Sequence, residues 1–204
     1  MIDARGIVTN PAGFGRVRDV IGYVVHHSVT TMHTNASEAD ERLHIKTIND
    51  YHFRLGYGGF SYHAAAFPSG RVYQCGDLDS QRAHVKGRNH ELIGVVAVGT
   101  FTDRLPAQPQ LDAIQEALRA FTGTFGALPV RGHNQWALPG EGTACPGQLA
   151  GAGWDLSPAP PPLSELDFLR ALTSAGQFVR LGWNVRDLAE IDKRCLRDLV
   201  VRMV

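Results

Sequence analysis

The sequence predicts an α/β domain with a central mixed β-sheet flanked by helices, followed by a small helical C-terminal segment. Short apolar segments rich in valine, typical of buried strands, alternate with segments of helical periodicity. Their order is strand, helix, hairpin, strand, helix, which favours a layered domain around one sheet. A proline-rich stretch, SPAPPP at 157–162, is typical of an extended linker. We therefore predict a main domain over 1–156 and a separate segment over 163–204.

The first strand and the first helix are predicted from residues 21 to 53. IGYVVHH at 21–27 is a short apolar run, which indicates a buried strand. SEADERLHIKTINDYHF at 37–53 indicates a helix, and Ser37 is suited to cap its amino terminus. The apolar side chains predicted to form the buried stripe of this helix are Leu43, Ile45, Ile48 and Tyr51.

A hairpin, a further strand and a second helix follow. The hairpin is SYHAAAFPSGRVYQC at 61–75, in which Pro68-Ser69-Gly70 supplies a turn proline and a glycine that accepts positive φ. IGVVAVGTF at 93–101 is predicted to be a buried strand, and LDAIQEALRAFTGTFG at 111–126 a helix that ends near its last glycine. One face of this helix would carry Leu111, Ile114, Leu118, Phe121 and Phe125.

The segment after the linker is predicted to form two helices, over 163–176 and 185–204. Each has apolar residues at helical spacing with charged residues between them. A segment of this size makes a marginal core by itself. We expect a packed helical hairpin without a functional site, which docks on the main domain or self-associates.

Composition and charge exclude several classes of protein. Lys+Arg and Asp+Glu each count 20, and this balance argues against nucleic acid as the main partner. Three cysteines are too few and too scattered for a disulfide framework. The first residues show no signal peptide, and no apolar run approaches the roughly 18 residues of a membrane span. We therefore expect no membrane insertion and no standard export signal.

Two separate stretches carry residues of the types that commonly bind metals. His26 and His27 end the first strand, and His133 and Cys145 lie in a later loop rich in glycine and proline. Because side chains alternate across a strand, only one of the two adjacent histidines can face a given side. A thiolate and two imidazoles are ligands that zinc takes, and three protein ligands leave a fourth position for water, as in catalytic sites. A structural site would need a fourth protein ligand, and Cys75 or His27 could supply it.

The sequence resembles the zinc-dependent N-acetylmuramoyl-L-alanine amidases, which include phage lysozyme-type amidases and the peptidoglycan-recognition proteins of animals. The matching stretches are YVVHHS, SYHAAAFPSGRVYQCG, AHVKGRNHELIGVVAVGTF, GHNQW and TACPG. They occur in the order of the family and cover roughly residues 20–150, but not the segment from Leu163 onward. Taken together they are specific, whereas any one alone is weak.

The resemblance implies a set of site residues and one Zn²⁺ ion. It makes His26, His133 and Cys145 the zinc ligands, while His27 is not a ligand. Tyr62 matches the catalytic tyrosine of the family. Thr143 stands where phage members have lysine and many recognition proteins have threonine, and we assign it a catalytic position as well.

The resemblance also implies a substrate groove and two departures from the family pattern. The loop that contains His84 and Asn89 borders this groove in the family, so both are predicted to bind substrate. Val96 and Val98 occupy the strand where some relatives place a catalytic carboxylate, which favours the tyrosine type. Gln135 stands where aspartate is frequent. We expect His63 to be structural, and four further histidines to be surface or helix-face residues without a role: His33, His44, His52 and His90.

The resemblance implies hydrolysis of the amide between N-acetylmuramic acid and L-alanine in peptidoglycan. A phage or prophage endolysin is the setting implied, held in the host cytoplasm until it is released to the cell wall. The alternative is a recognition module that binds peptidoglycan without cutting it; such relatives usually lack the cysteine ligand, which is present here as Cys145. A third alternative is a structural-zinc scaffold that acts through the C-terminal helices.

Overall fold

Six strands form one mixed sheet, and the ends of these strands position the loops of the molecule. The computed structural model describes residues 1–8 and 15–157. In the order of the sheet, the strands are β1 (Ile2–Asp3), β4 (Val72–Gln74), β3 (Ala64–Ala66), β5 (Leu92–Ala97), β2 (Gly22–His27) and β6 (Val130–Gly132). Neighbouring strands are parallel except in the β3–β4 hairpin. The predicted α/β class with a mixed sheet is therefore confirmed.

Two long helices cover opposite faces of this sheet. The helices are α1 (Glu38–Arg54), α2 (Gln108–Phe125) and the single turn α3 (His133–Trp136), with 3₁₀ turns at Arg5–Ile7 and Gly147–Gly151. Apolar residues of α2 pack with Tyr23, Val25 and Ile93 on one face. Apolar residues of α1 pack with Ala65 and Val96 on the other face. The alternation of strand side chains thus supplies two cores, one for each helix.

The predicted start of α1 is confirmed, but its predicted buried stripe is partly wrong. Ser37 caps the helix in a reciprocal pair with Asp40. Ile45 and Ile48 are buried, whereas Leu43 and Tyr51 are more than half exposed. The remaining buried positions are polar, because Glu41 and Asn49 complete the buried face.

Glu41 is buried because three donors surround its carboxylate. The guanidinium Nε of Arg71 lies 2.6 Å away, the hydroxyl of Tyr73 2.7 Å and the hydroxyl of Ser69 2.5 Å. All three donors belong to the β3–β4 hairpin or its turn. The hydrogen bonds offset the desolvation of the charge and attach the helix to the hairpin.

Other boundaries differ from the prediction by a few residues. The strand predicted over 93–101 ends at Ala97, and the chain turns at Gly99, whose φ of 148° few other residues adopt. Helix α2 begins at Gln108, three residues before its predicted start, with Pro109 in its first turn.

The linker beyond Ser157 and the two predicted C-terminal helices over 163–204 lie outside the described residues, so the division into domains stays a prediction. Within the described ranges, none of the helices has the length and apolar character needed to cross a membrane.

Candidate metal centre

The centre lies at the edge of the sheet where parallel strands end together. His26 and His27 are the last residues of β2, and β6 lies beside β2 with Gly132 paired to Val25. The next residue after β6 is His133, which begins α3. Because β2 and β6 run in the same direction and pair in this register, His26 and His133 lie next to each other at the same end of the sheet. The sheet therefore brings His26 and His133 together from opposite ends of the sequence.

A thiol completes the cluster. The ligand atoms of His26, His133 and Cys145 all lie within 4.8 Å of one another. Sγ of Cys145 lies 3.6 Å from Nδ1 of His26, and the two imidazole rings have centroids 4.7 Å apart. The structure thus places the three predicted zinc ligands around one point.

Backbone contacts hold Cys145 in position. The carbonyl oxygen of Cys145 accepts from the N–H of Asn134 at 2.8 Å, and the N–H of His27 points at its sulfur at 3.4 Å. Gly147 has a φ of 66°, and a Cβ at this position would overlap the carbonyl of Phe101. The CPG stretch therefore needs its glycine, because the loop passes directly against the chain after β5.

The protonation of the three side chains suits a metal ligand set. Burial lowers the pKa of His26 well below 6.5, and the neighbouring His84 and His133 lower it further. Burial also lowers the pKa of His133. Burial raises the pKa of the Cys145 thiol to about 11, against the opposing effect of the His27 N–H. Two neutral imidazoles offer lone pairs directly, and a metal would displace the thiol proton. A zinc ion fits this donor set.

Neither candidate for a fourth protein ligand reaches the cluster. Nδ1 of His27 accepts from the N–H of Phe101 at 3.2 Å, on the other face of β2. Cys75 is fully buried in the core beneath α1, with its sulfur facing the carbonyl of Tyr73. Among the described residues, three side chains therefore form the cluster, as expected for a site that leaves one position to water or substrate.

A cleft of about 780 Å³ opens above the cluster. Its lining includes all seven residues predicted to form the site: His26, Tyr62, His84, Asn89, His133, Thr143 and Cys145. Such a concave site beside a candidate metal centre is a default location for substrate binding. The roles of the individual residues stay predictions.

Tyr62 lies next to the metal ligands. Its ring centroid is 5.0 Å from that of His26. Burial, and then the neighbouring Cys145, raise the pKa of the Tyr62 hydroxyl. The phenol therefore keeps its proton at neutral pH and can donate a hydrogen bond into the cleft.

Thr143 is held beside the thiol loop. Its Oγ1 accepts a hydrogen bond from the N–H of Cys145 at 3.1 Å. The hydroxyl hydrogen is not used in that bond, because the oxygen is the acceptor. Thr143 thus supports the position of Cys145 and retains a donor of its own.

His84 and Asn89 line the cleft and make contacts within the protein. Nδ1 of His84 lies 3.1 Å from Nε2 of His26, and Nε2 of His84 lies 3.1 Å from the carbonyl oxygen of Leu92. Oδ1 of Asn89 accepts from the N–H groups of His84 and Val85 at 2.9 and 2.8 Å. Substrate contact by these two residues stays a prediction, but their polar groups also shape the site itself.

Two other histidines test the expectations from sequence. His63 is fully buried, where it accepts from the N–H of Gly94 and bonds the carbonyl of Ser80, in agreement with a structural role. His52 lies on α1, in agreement with the expected surface or helix-face position. His52 lines the cleft, and its ring centroid is 5.8 Å from that of Tyr62. Its helical spacing of four and seven from Ile48 and Ile45 is the signal that could have found it.

Several other expected features have structural explanations. Val96 and Val98 are buried beneath α1, so the described part of β5 offers no carboxylate to the cleft. Gln135 accepts from the N–H of Gly132 through its Oε1 and thereby closes the turn into α3. Trp136 is buried, and its Nε1 donates to the carbonyl of Tyr23.

A known protein family matches this chain. A family model described as N-acetylmuramoyl-L-alanine amidase matches residues 16–148. The chain therefore belongs to the N-acetylmuramoyl-L-alanine amidase family.

Individual relatives fall into two kinds. Peptidoglycan-recognition protein 1 of Holotrichia diomphalia is 31% identical over 96 residues, which are 47% of this chain and 48% of that protein. The chain thus spans about half the length of this relative. An endolysin of Enterobacteria phage K11 is 26% identical over 120 residues, which are 56% of this chain and 77% of that protein. The solved structure of wild-type Drosophila PGRP-LB has a TM-score of 0.63 at 20% identity, over 74% of this chain and 89% of that one. At this identity the structural likeness shows the fold alone.

Proposed function

We propose that the protein is a zinc-dependent N-acetylmuramoyl-L-alanine amidase. It would hydrolyse the amide bond between N-acetylmuramic acid and the L-alanine of the stem peptide in peptidoglycan. The observation that carries the proposal is the convergence of His26, His133 and Cys145 at one end of a cleft, with Tyr62 beside them. Membership of the amidase family supports the choice of bond.

The chemistry requires an activated water and a stabilised oxyanion. Bound zinc would lower the pKa of a water ligand to about 7 and polarise the substrate carbonyl. His26 and His133 offer imidazole lone pairs, and Cys145 offers a thiolate once its proton has left. The Tyr62 hydroxyl donates a hydrogen bond to the carbonyl oxygen as negative charge develops there, and this contact is strong in a site that excludes water.

Thr143 can act on the same oxygen. Its own hydrogen is not used in the bond to the Cys145 N–H, so it can donate to the oxyanion or to the attacking water. Because threonine is neutral, it supplies a hydrogen bond but no charge. Thr143 and the neutral phenol of Tyr62 would thus each supply one hydrogen-bond donor to the oxyanion.

The competing function is recognition of peptidoglycan without cleavage. One named relative is a recognition protein and another is an endolysin, so sequence similarity alone does not separate the two functions. The position of Cys145 favours the enzyme, because a purely binding groove has no need for a thiol held 3.6 Å from a neutral imidazole nitrogen. An endolysin that reaches the wall after lysis is the setting we propose.

Loss of zinc and loss of cleavage should occur together. Purified protein should clear a suspension of bacterial walls, release peptides whose new amino terminus is L-alanine, and stop doing so after chelation. Cys145→Ser should lose both the metal and cleavage, since a hydroxyl hardly ionises at neutral pH. Cys75→Ala, which removes the buried thiol away from the cleft, is the matched control and should retain both. Wild-type protein that binds walls and zinc but releases no peptide would instead establish the recognition function.

A further inference from the structure

The second nitrogen of the His26 ring faces another histidine. Nε2 of His26 lies 3.1 Å from Nδ1 of His84, and both side chains are buried. Nε2 of His84 lies 3.1 Å from the carbonyl oxygen of Leu92, the first residue of β5. These three groups form a hydrogen-bonded chain, which we call the His26–His84–Leu92 chain. It runs from the metal centre into the sheet.

The carbonyl of Leu92, at the far end of these hydrogen bonds, determines which ring nitrogens carry a hydrogen. A carbonyl oxygen only accepts, so Nε2 of His84 carries a hydrogen toward Leu92. In a neutral imidazole the other nitrogen is then an acceptor, and its partner, Nε2 of His26, must donate. His26 is thereby held as the tautomer whose Nδ1 has a free lone pair. Nδ1 is also the atom that lies 3.6 Å from Sγ of Cys145.

We propose that His84 is a positioning residue of the metal centre, which sets the tautomer and ring orientation of His26. Without an acceptor at this place, the hydrogen of neutral His26 could equally lie on Nδ1, where it would block the lone pair that a metal needs. The inference rests on the proposed function, because it concerns the zinc ion of that function. It gives His84 a role through another side chain, in place of the direct substrate contact that the sequence predicts.

The surroundings of His84 hold its ring in one orientation. Oδ1 of Asn89 accepts from the N–H groups of both His84 and Val85, which fixes the backbone of the loop. The ring lies against Gly94 of β5, where an added Cβ would come 2.7 Å from Nδ1 of His84. The ring also meets that of His63 in an edge-to-face contact, with centroids 5.6 Å apart. A residue whose only task was to touch substrate would not need its ring packed against both a strand and a second buried histidine.

Three variants of the full chain test this role through zinc affinity, measured by competition with a chromogenic chelator. His84→Phe keeps a flat ring but deletes the acceptor, and should weaken zinc binding by roughly 10–100-fold, the usual effect of losing a partner of a metal ligand. His84→Asn restores an acceptor at nearly the same place, because the side-chain oxygen of asparagine is bonded to Cγ just as Nδ1 of histidine is. This variant should recover most of the affinity. His63→Phe is the matched control, because His63 is equally buried and touches His84 but bonds Ser80 and Gly94 instead of His26.

A spectroscopic readout is independent of both activity and metal. Long-range ¹⁵N–¹H correlation spectra of the metal-free protein should show the hydrogen of His26 on Nε2. In His84→Phe the signal of His26 should shift toward the other tautomer or a mixture, while in His63→Phe it should stay. A role in packing alone would lower the stability of both variants without changing this signal.

The outcomes separate this inference from the proposed function. If the wild type binds zinc but His84→Phe binds it within about twofold of the wild type, the positioning role is overturned while the metal site stands. If His63→Phe loses as much affinity as His84→Phe, the effect is packing and the inference also fails. If the wild type binds no zinc, the proposed function fails, and the tautomer of His26 in the metal-free protein still decides whether His84 sets it.

Discussion

Sγ of Cys145 and Nδ1 of His26 lie 3.6 Å apart, although 119 positions separate the two residues in the chain. Parallel pairing of β2 with β6 carries the chain to His133, and the carbonyl of Cys145 then accepts the N–H of Asn134 in the following turn. The thiol therefore depends on the sheet register for its place. A change that alters this register would disperse all three ligands at once, because they share one edge.

Replacing Tyr62 separates cleavage from metal binding. Tyr62→Phe keeps the ring packed against His26 but deletes one donor, and the loss of one oxyanion donor typically costs roughly 10²–10³-fold in rate. Zinc affinity should stay unchanged, because the phenol is not one of the clustered ligands. The rate of amide cleavage and the metal content of the same preparation are the measurements.

Tyr51→Phe is the control for this prediction. Tyr51 lies on α1, its side chain is more than half exposed, and it does not line the cleft. This variant should cleave like the wild type. If Tyr62→Phe also cleaves like the wild type, the assigned role of Tyr62 is wrong and Thr143 becomes the leading oxyanion donor.

Gly94 makes room for the positioning histidine. Gly94→Ala would bring a Cβ to 2.7 Å from Nδ1 of His84, within a sheet strand that cannot easily move. We expect the variant to lose about 1–3 kcal/mol of unfolding free energy, as overpacked cores do, and to bind zinc more weakly. Urea unfolding and chelator competition measure the two effects.

A second glycine provides the contrast. Gly123 lies inside α2, and an added Cβ there meets no atom within 4 Å. Gly123→Ala should raise the unfolding free energy by roughly 0.5–1 kcal/mol, since alanine favours the helix. Equal stability of Gly94→Ala and the wild type would show that His84 can move, contrary to its close packing against Gly94.

The sequence predicts the elements whose residues follow a simple pattern. The valine-rich run that ends in His26, the Ser37 cap and the Pro68-Ser69-Gly70 turn all carry local signals, and each lies where predicted. The short strands β1 and β6 have two and three residues, too few for any period to be visible. Their places are set by pairing with distant strands.

Buried polar residues account for the other differences. The predicted stripe of α1 counts only apolar side chains and therefore overlooks Glu41, which is buried because the hairpin supplies its donors. In the same way, the contact between His84 and His26 joins residues 58 positions apart and has no local signal. Residue chemistry and resemblance to a family predict the seven site residues, whereas this contact required the structure.

The buried carboxylate of Glu41 should contribute measurably to stability. Glu41→Gln keeps the shape but removes the charge that Arg71 and Tyr73 bond, and should cost about 1–3 kcal/mol of unfolding free energy. Glu38→Gln breaks the exposed ion pair with Arg42 on the same helix and should cost at most about 1 kcal/mol. Equal losses in chemical unfolding of the two variants would mean that burial of Glu41 adds nothing.

Stability of the metal-free protein should fall as the solution becomes acidic. Burial, followed by the nearby His84, lowers the pKa of His63 well below 6.5 in the folded state. In the unfolded chain the imidazole of His63 has the ordinary histidine pKa of about 6.5. Between these two values the unfolded state binds the additional proton, so acid favours unfolding. Stability is therefore fully present above about pH 6.5 and is lost as the pH falls from there toward the folded pKa.

His63→Phe tests the sign and the size of this effect. One such histidine contributes a slope of up to about 1.4 kcal/mol per pH unit. Above about pH 6.5 the variant should be less stable than the wild type, because the bonds to Ser80 and Gly94 are lost. Toward lower pH the two stability curves should converge, since the variant no longer has this proton to take up. Urea unfolding with chelator present, repeated across the pH range, gives both curves, and curves that stay parallel would contradict a neutral buried His63.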